Sequence, residues 1–350
     1  MAAKFRLRAN RRIAVQSVRI AQRGDALSRL LKMPFIPVLI GIIAMFVLLS
    51  SAQPAFLKMG NIINIFSQCS LYGIMAVGMV FVISLGEIDI SVGMSAFFVM
   101  TVMYNLRKVM PAPPSFALAI LTGTSVGILN GILVCFLRIP SFLATLGTMS
   151  LTRGLAHILI GGTNRIVPSD LQVIGGTRIA GIVSLPSILM IVIAIIGILL
   201  LSRTRFGRYV LAIGGSVNSA RDSGIPVNLT RIAAFAVCGF CVAVAAIVFA
   251  GRIGSIQPDQ SQGYEFVVIT AVILGGTKLM GGRSSVLGAV LGCIFLYLIE
   301  NALTMLQISG YYQDLSRGII FFGAIAIDTA ASFRQQKVTR IERAKRIYVL

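Results

Sequence analysis

Long apolar segments recur from one end of this 350-residue chain to the other. Hydrophobic residues make up 57% of the sequence and charged residues only 12%, and the mean hydropathy is +0.91. Soluble domains carry about 25% charged residues, and an apolar run of roughly 18 residues or more is long enough to cross a bilayer. The sequence therefore predicts an all-α polytopic membrane protein with no sizeable soluble domain.

Charged residues and Pro/Gly punctuation divide the apolar sequence into ten candidate spans. They cover residues 33–50, 61–85, 90–105, 115–137, 141–161, 181–202, 231–250, 264–278, 285–306 and 312–333. The third and the eighth have only about 15 residues, so we expect them to tilt differently or to stop short of crossing. About ten transmembrane helices are predicted, with eight as the alternative.

Basic residues are concentrated near the two ends of the chain. Nine Lys/Arg lie in residues 1–32 and six in residues 334–350, and the net charge is +20. With ten spans and both termini on one side, that side carries 23 Lys/Arg and the other carries six. The positive-inside rule then predicts a cytoplasmic leader 1–32, a transmembrane domain 33–333 and a cytoplasmic tail 334–350. The basic ends suit anionic membrane lipid rather than nucleic acid, because no basic groove interleaved with aromatic residues is present.

One apolar stretch, residues 271–292, contains six glycines together with one Lys and one Arg. A phosphate-binding Walker loop requires Gly, four residues and then Gly-Lys-Ser/Thr, and no part of the chain has that pattern. Double glycines permit unusual backbone conformations, and G-x-x-x-G spacing lets helix backbones approach closely in lipid. The stretch therefore predicts a tight cytoplasmic turn and a closely packed helix rather than a nucleotide site. The packing glycines are Gly275, Gly276, Gly281, Gly282, Gly288 and Gly292.

Residues that could carry catalysis or bind a metal are scarce. The five cysteines lie in apolar segments, and the C-x-x-C of Cys238 and Cys241 has neither a second pair nor nearby histidines. His157 is the only histidine, so neither a zinc site nor a Ser/His/Asp triad is expected. We expect no metal, no cofactor in this chain and no enzymatic activity.

Several ionisable residues fall at or near membrane depth. Such residues are costly in lipid and usually mark solute paths, ion pairs or interfaces. Asp314 and Arg317 are spaced i, i+3 and could pair along one helix. Structural pairing near the span ends is the alternative to a solute path for the whole group. The group comprises Glu87, Asp89, Arg153, Glu265, Glu300, Asp314, Arg317 and Asp328.

The loop 203–231 is the longest predicted cytoplasmic connection. It begins with basic residues, continues through a Gly-Gly break and then has a short helix-compatible piece that ends at Gly224 and Pro226. A short helix that is too polar to enter lipid is suited to docking a partner protein. A plain solvated connector is the alternative.

Five motifs follow one another along roughly residues 55–333. The motifs are Gly86-Glu87-Ile88-Asp89-Ile90-Ser91-Val92-Gly93; Pro140-Ser141-Phe142 with Thr145-Leu146-Gly147-Thr148 and Arg153-Gly154; Phe206-Gly207-Arg208 with Ala212-Ile213-Gly214-Gly215 and Ala220-Arg221-Asp222-Ser223-Gly224-Ile225; the stretch 271–292; and Gln313 with Gly318-Ile319-Ile320. In this order they resemble the ribose-type sugar permeases, the membrane subunits of bacterial ATP-binding-cassette (ABC) importers.

The resemblance implies a fold, a location and a set of partners. The fold is the type II ABC importer-like permease fold, in which inverted repeats are expected, and the location is the bacterial inner membrane. Two permease subunits, either a homodimer or a pair of sister chains, would form the pathway. Separate ATPase subunits would bind ATP, and a periplasmic solute-binding protein would deliver a ribose-like pentose or hexose.

The resemblance also implies roles for particular residues. The coupling helix that receives the ATPase motion would comprise Ser219, Ala220, Arg221, Asp222, Ser223 and Gly224. The candidates for the translocation path or its inner gate are Glu87, Asp89, Ser91, Thr145 and Thr148. For residues 87–91 an equal alternative is structural, either bracing the turn between the second and third spans or starting the third helix as an N-cap.

Two alternative functions stay open at this point. One is an ABC importer for another small solute, such as a branched-chain amino acid, a nucleoside or a furanose-like signal molecule. The other is an ion-coupled secondary transporter, for which the loop 203–231 would need no partner.

Overall fold

The computed structural model describes residues 35–179 and 181–348, without the side chains of residues 331, 332 and 334–348. The predicted leader 1–32 lies outside the described residues. The described parts are almost entirely helical, and their strands contain two residues each. The helices are α1 Ile36–Ala52, α2 Met59–Ser84, α3 Val92–Leu106, α4 Ala112–Cys135, α5 Ser141–Ile160, α6 Ser169–Gly176, α7 Leu185–Arg203, α8 Arg205–Gly215, α9 Val217–Asp222, α10 Val227–Ile253, α11 Tyr264–Leu274, α12 Val286–Met305 and α13 Gly310–Tyr348. The strands are β1 Arg165–Ile166, β2 Arg178–Ile179, β3 Val183–Ser184 and β4 Ser255–Ile256.

Each of the ten predicted spans overlaps one helix of the structure. Six helices, α2, α4, α5, α7, α10 and α12, are long and apolar enough to cross a membrane. The expected short spans are α3, with 15 residues, and α11, with 11 residues. The prediction of an all-α polytopic membrane protein is confirmed, whereas helix length alone does not decide whether all ten helices cross. The last helix, α13, continues through Tyr348 into the sequence that was predicted to be a basic tail.

Helix α2 forms the centre of the bundle. Every residue from Leu71 to Leu85 is buried, and α2 packs against α7, α10, α11 and α12. Helix α10 is the second central element and packs closely on α4, where Gly127 lies against the backbone of Phe235. Because lipid provides no hydrophobic force between helices, small residues that permit close backbone approach stabilise such contacts. The cysteines of the C-x-x-C pair are buried and free in this core, as are the other three.

The two ends of the bundle differ in charge and structure. We call the end that carries residues 136–140, 204–226 and 275–285 the basic end, because six Lys/Arg lie in these segments. At the opposite end, which we call the far end, β1 pairs with β4 and β2 pairs with β3, both antiparallel. Helix α6 also lies there, and its Asp170 forms an ion pair with Arg107 at 2.5 Å. The sequence analysis predicted neither α6 nor these strand pairs.

The short helices α3 and α11 meet inside the bundle through their N-terminal turns. Loop 85–91 leads into α3 from the basic end, and loop 257–263 leads into α11 from the far end. The Ser261 hydroxyl donates a hydrogen bond to the Gly93 carbonyl at 2.8 Å, and the Glu265 carboxylate lies against Gly93. Both helices are short because the loops that precede them enter the bundle in non-helical form before each helix begins.

Candidate functional site

Loop 85–91 is held by two hydroxyl-bearing residues in the first turns of α5. The Ile88 N–H donates to Ser141 Oγ at 3.2 Å, and the Ile90 N–H donates to Thr145 Oγ1 at 3.1 Å. The Thr145 hydroxyl itself donates a hydrogen bond to the Ser141 carbonyl at 2.8 Å. The two side chains therefore accept hydrogen bonds from backbone N–H groups of the loop, which lack the carbonyl partners that a helix would provide.

Asp89 lies in the middle of this loop and is almost completely buried, with 2% of its surface exposed. Its Oδ1 accepts hydrogen bonds from the Ser91 N–H at 2.9 Å and from the Ser91 hydroxyl at 2.6 Å. The Asn130 amide of α4 donates to Asp89 Oδ2 at 3.3 Å and to Ser91 Oγ at 3.0 Å. A buried carboxylate is tolerated when it accepts several hydrogen bonds in this way.

The other path candidates are placed differently. Glu87 forms an ion pair with Arg231 at the start of α10, with 3.1 Å between Glu87 Oε1 and Arg231 Nη2. The Thr148 hydroxyl donates back to the Ala144 carbonyl of its own helix at 3.1 Å. Asp89, Ser91 and Thr145 therefore form one cluster that braces the loop, and their burial leaves them no surface for a solute in this conformation. Ser91 stands at the start of α3 but makes no side-chain capping bond.

The predicted coupling segment forms a short exposed helix, α9. The Ser216 hydroxyl caps it by accepting from the Ser219 N–H at 3.3 Å. Ala220 is buried with 3% exposure and its carbonyl accepts from the Ile225 N–H at 3.1 Å. Gly224 has φ +75°, a left-handed conformation in which a β-carbon is strained. The remaining predicted coupling residues, Ser219, Arg221, Asp222, Ser223 and Gly224, are exposed.

Helix α8, which the sequence analysis did not predict, connects α9 to the core. Phe206 stacks on Phe81 of α2 with 5.8 Å between ring centroids. Gly214 packs against the Ser84 carbonyl at the end of α2, where a β-carbon would overlap backbone atoms. The exposed α9 is therefore connected through α8 to the end of the central helix, immediately before loop 85–91.

The glycine-rich stretch forms a turn at the basic end and one closely packed helix pair. Gly276, Gly281 and Gly282 have φ values of +88°, +81° and +77°, and the Gly282 N–H donates to the Ser84 carbonyl at 3.0 Å. On the helices, Gly275 of α11 lies against Gly288 of α12. A turn from Gly288, Gly292 lies against the backbone of Ala271.

We expect Gly288→Ala to lower the stability of the protein, because the added methyl group would overlap the Gly275 carbonyl. Overpacking of this kind costs about 1–3 kcal/mol. Gly323→Ala on α13 is the matched control, since a β-carbon there meets no atom within 4 Å. Thermal unfolding of the detergent-purified variants measures the difference, and equal midpoints for the two would contradict the close approach of α11 and α12.

Two ion-pair clusters include four of the predicted intramembrane charges. Arg317 of α13 bridges Glu300 of α12 at 2.8 Å and Asp314 of its own helix at 2.8 Å. On α5, Arg153 forms a two-bond contact with Asp259 of loop 257–263, from Nε at 3.0 Å and from Nη2 at 2.9 Å. The pairing of Asp314 with Arg317 followed from their spacing in the sequence.

The Arg153–Asp259 contact also includes His157, whose Nε2 lies 3.0 Å from Asp259 Oδ1. The Arg153 guanidinium and the His157 imidazole therefore contact one carboxylate. The sequence analysis missed Asp259, because it lies in a loop and is over a hundred residues from its partners. Among the described residues, no group of three or more His, Cys, Asp or Glu side chains is positioned to hold a metal ion.

The architecture defines the class of protein. Apolar helices form the bundle, ion pairs such as Glu87–Arg231 and Glu300–Arg317 lie within it, and two short helices meet within it behind non-helical segments. Non-helical backbone of this kind within a membrane bundle is typical of transport proteins. The chain is a multi-pass membrane permease.

Within that class, the chain belongs to the ribose-type sugar permease family, as its motifs indicated. The family described as "Branched-chain amino acid transport system / permease component" matches residues 61–325. The ribose import permease protein RbsC of Haemophilus influenzae is 33% identical over 294 residues, which cover 83% of this chain and 91% of that protein. RbsC of Escherichia coli K12 is 32% identical over 295 residues, with 83% and 92% covered. The autoinducer 2 import system permease protein LsrC of Yersinia enterocolitica is 34% identical over 310 residues, with 86% of each chain covered. No solved structure matches the chain.

Proposed function

We propose that this chain is the membrane-spanning subunit of an ATP-driven importer that carries a ribose-like pentose or hexose across the bacterial inner membrane. The observation that carries the proposal is the likeness to two ribose import permeases over more than four fifths of each chain. No nucleotide-binding motif is present in the sequence. ATP is therefore bound by a separate subunit, and this chain requires no cofactor of its own.

The proposed topology has ten crossings, with the basic end and both termini in the cytoplasm. The distribution of Lys and Arg supports this orientation. The entry of α3 from one end and of α11 from the other supports two halves of opposite orientation, as in the type II importer fold. Helices too short to span alone then cross together with the extended segments that precede them.

The proposed partners dock at opposite ends of the bundle. Two ATPase subunits contact α9 and its neighbours at the basic end, and a periplasmic solute-binding protein docks at the far end. A second permease subunit, an identical copy or a sister chain, completes the pathway. Motion of α9 reaches the end of α2 through α8, because Phe206 and Gly214 pack on that end.

A second candidate substrate is a furanose-like signal molecule. It is favoured by the similarity to LsrC, whose 34% identity is close to the 33% identity of the ribose permease of Haemophilus influenzae. The permease itself needs to discriminate little between these two solutes, because the binding protein selects the solute before delivery.

Uptake assays in proteoliposomes test the proposed function. We expect proteoliposomes that contain the chain and its cognate ATPase to take up radiolabelled D-ribose when the binding protein is present and ATP is supplied on the side that carries the ATPase. Replacement of ATP by a non-hydrolysable analogue should abolish this uptake. Uptake should survive a proton uncoupler, since no ion gradient drives it. Accumulation by the permease alone, or its loss only on uncoupling, would identify an ion-coupled secondary transporter instead.

A further inference from the structure

Helix α5 carries a polar patch at membrane depth. Arg153 lies about 18 Å along the helix from Ser141, and His157 lies about one turn further. The side chains of Arg153 and His157 retain 43% and 34% exposure, and Asp259, which binds both, retains 28%. On the same face, Ser150 and Gly154 are exposed beside them. Because exposed charge is costly in hydrocarbon, this patch does not face lipid.

Loop 257–263 gives a second, independent indication that water reaches this place. Its sequence, Gln-Pro-Asp-Gln-Ser-Gln-Gly, is polar, yet it passes into the bundle until Ser261 bonds the Gly93 carbonyl. Non-helical backbone at membrane depth is tolerated where it is buried in protein or lines a water-filled cavity. Gln257 and Gln262 are exposed, so part of this loop borders open space.

The backbone at Asp259 is also unusual. Its φ is +58°, which is uncommon for a residue other than glycine. This conformation presents the carboxylate to Arg153 and His157 at once. Strained residues of this kind are concentrated at functional sites.

We propose that Arg153, His157 and Asp259 line a water-filled part of the solute pathway and form hydrogen bonds with the hydroxyl groups of the passing sugar. The inference deepens the proposed function and rests on it for the identity of the solute. A guanidinium, an imidazole and a carboxylate supply hydrogen-bond donors and acceptors close to one another. Each hydroxyl group of a neutral sugar both donates and accepts, so this combination suits a polyhydroxylated solute. Because the three groups already bind one another, each contact with the sugar replaces an existing bond and the solute is not trapped.

Thiol labelling tests whether the patch is aqueous. Ser150→Cys introduces a thiol beside Arg153, and Ser125→Cys introduces one at similar depth on α4, among exposed apolar residues such as Leu121 and Leu129. A charged, membrane-impermeant methanethiosulfonate should label Ser150→Cys in the membrane-embedded complex and leave Ser125→Cys at the wild-type level. The five native cysteines are buried, so the wild type supplies a low baseline. Equal labelling of the two variants overturns the inference, whether or not the complex transports ribose.

Contact with the sugar is tested by protection and by substitution at His157. D-ribose, supplied through the binding protein during turnover, should slow the labelling of Ser150→Cys several-fold.

His157→Phe, which retains the edge contact with Phe97, should lower the ribose uptake rate about tenfold through the loss of a polar partner. His157→Gln should restore most of the rate, with unchanged ATP hydrolysis in all variants. Labelling that is insensitive to ribose, together with equal uptake by the Phe and Gln variants, would show that the cluster only fastens loop 257–263 to α5.

Discussion

Asp89→Ala should destabilise the protein severely and abolish uptake, whereas Asp89→Asn should be tolerated. Alanine removes the acceptor for the Ser91 N–H, the Ser91 hydroxyl and the Asn130 amide inside a buried cluster. Each buried polar group left unpaired costs about 1–3 kcal/mol, and native proteins have only about 5–15 kcal/mol of stability. The loss should be visible as reduced membrane accumulation and a lower unfolding midpoint in detergent.

Asparagine at position 89 can replace all of these bonds without a charge, and only the bond from Asn130 to Ser91 Oγ is given up. Its oxygen would accept from Ser91, and its amide could donate to Asn130 Oδ1, which has no hydrogen-bond partner among the described residues. A rotation of the Asn130 amide about its last torsion angle achieves this arrangement. If Asp89 instead acts in the solute path through its charge, Asp89→Asn should lose uptake while its stability remains normal. The two variants, compared by uptake and by unfolding midpoint, therefore separate bracing from a pathway role.

Arg221→Glu should uncouple ATP hydrolysis from uptake. The Arg221 side chain is exposed on α9, while its neighbour Ala220 fixes the helix to the protein. Reversal of a charge at a docking surface should weaken the contact with the ATPase by about 1.4 kcal/mol or more, which is about tenfold in the dissociation constant. We expect a loss of uptake of that size, with normal insertion and stability and with ATP hydrolysis that no longer responds to the solute-loaded binding protein.

Arg205→Glu is the matched control for this experiment. It reverses an exposed charge at the same end of the bundle, but at the start of α8 rather than on α9. Gly224 provides a second comparison, because its left-handed backbone accepts Asn but strains Val by about 1–2 kcal/mol. Normal transport by both Arg221→Glu and Gly224→Val would remove α9 from the proposed coupling route.

Particular elements show how far the sequence could predict the structure. The short third and eighth spans were recognisable because their apolar runs were short, and the structure has helices of 15 and 11 residues there. Helix α8 was missed because its apolar residues are spaced along an amphipathic helix rather than in a continuous run. Asn130 was missed because a single polar residue within an apolar helix does not indicate which residue it bonds.

The sequence by itself determined that the chain is a multi-pass helical membrane protein, where its ten long apolar segments lie and to which permease family it belongs. These properties depend on local hydropathy, on charge distribution and on motif order, all of which are readable along the chain. Only the tertiary structure decided that Asp89 bonds Asn130, that Arg153 and His157 bind Asp259, and that α8 rests on the end of α2. Each of these contacts joins residues distant in sequence, so each depends on how the helices pack around α2 and α10 rather than on any one segment.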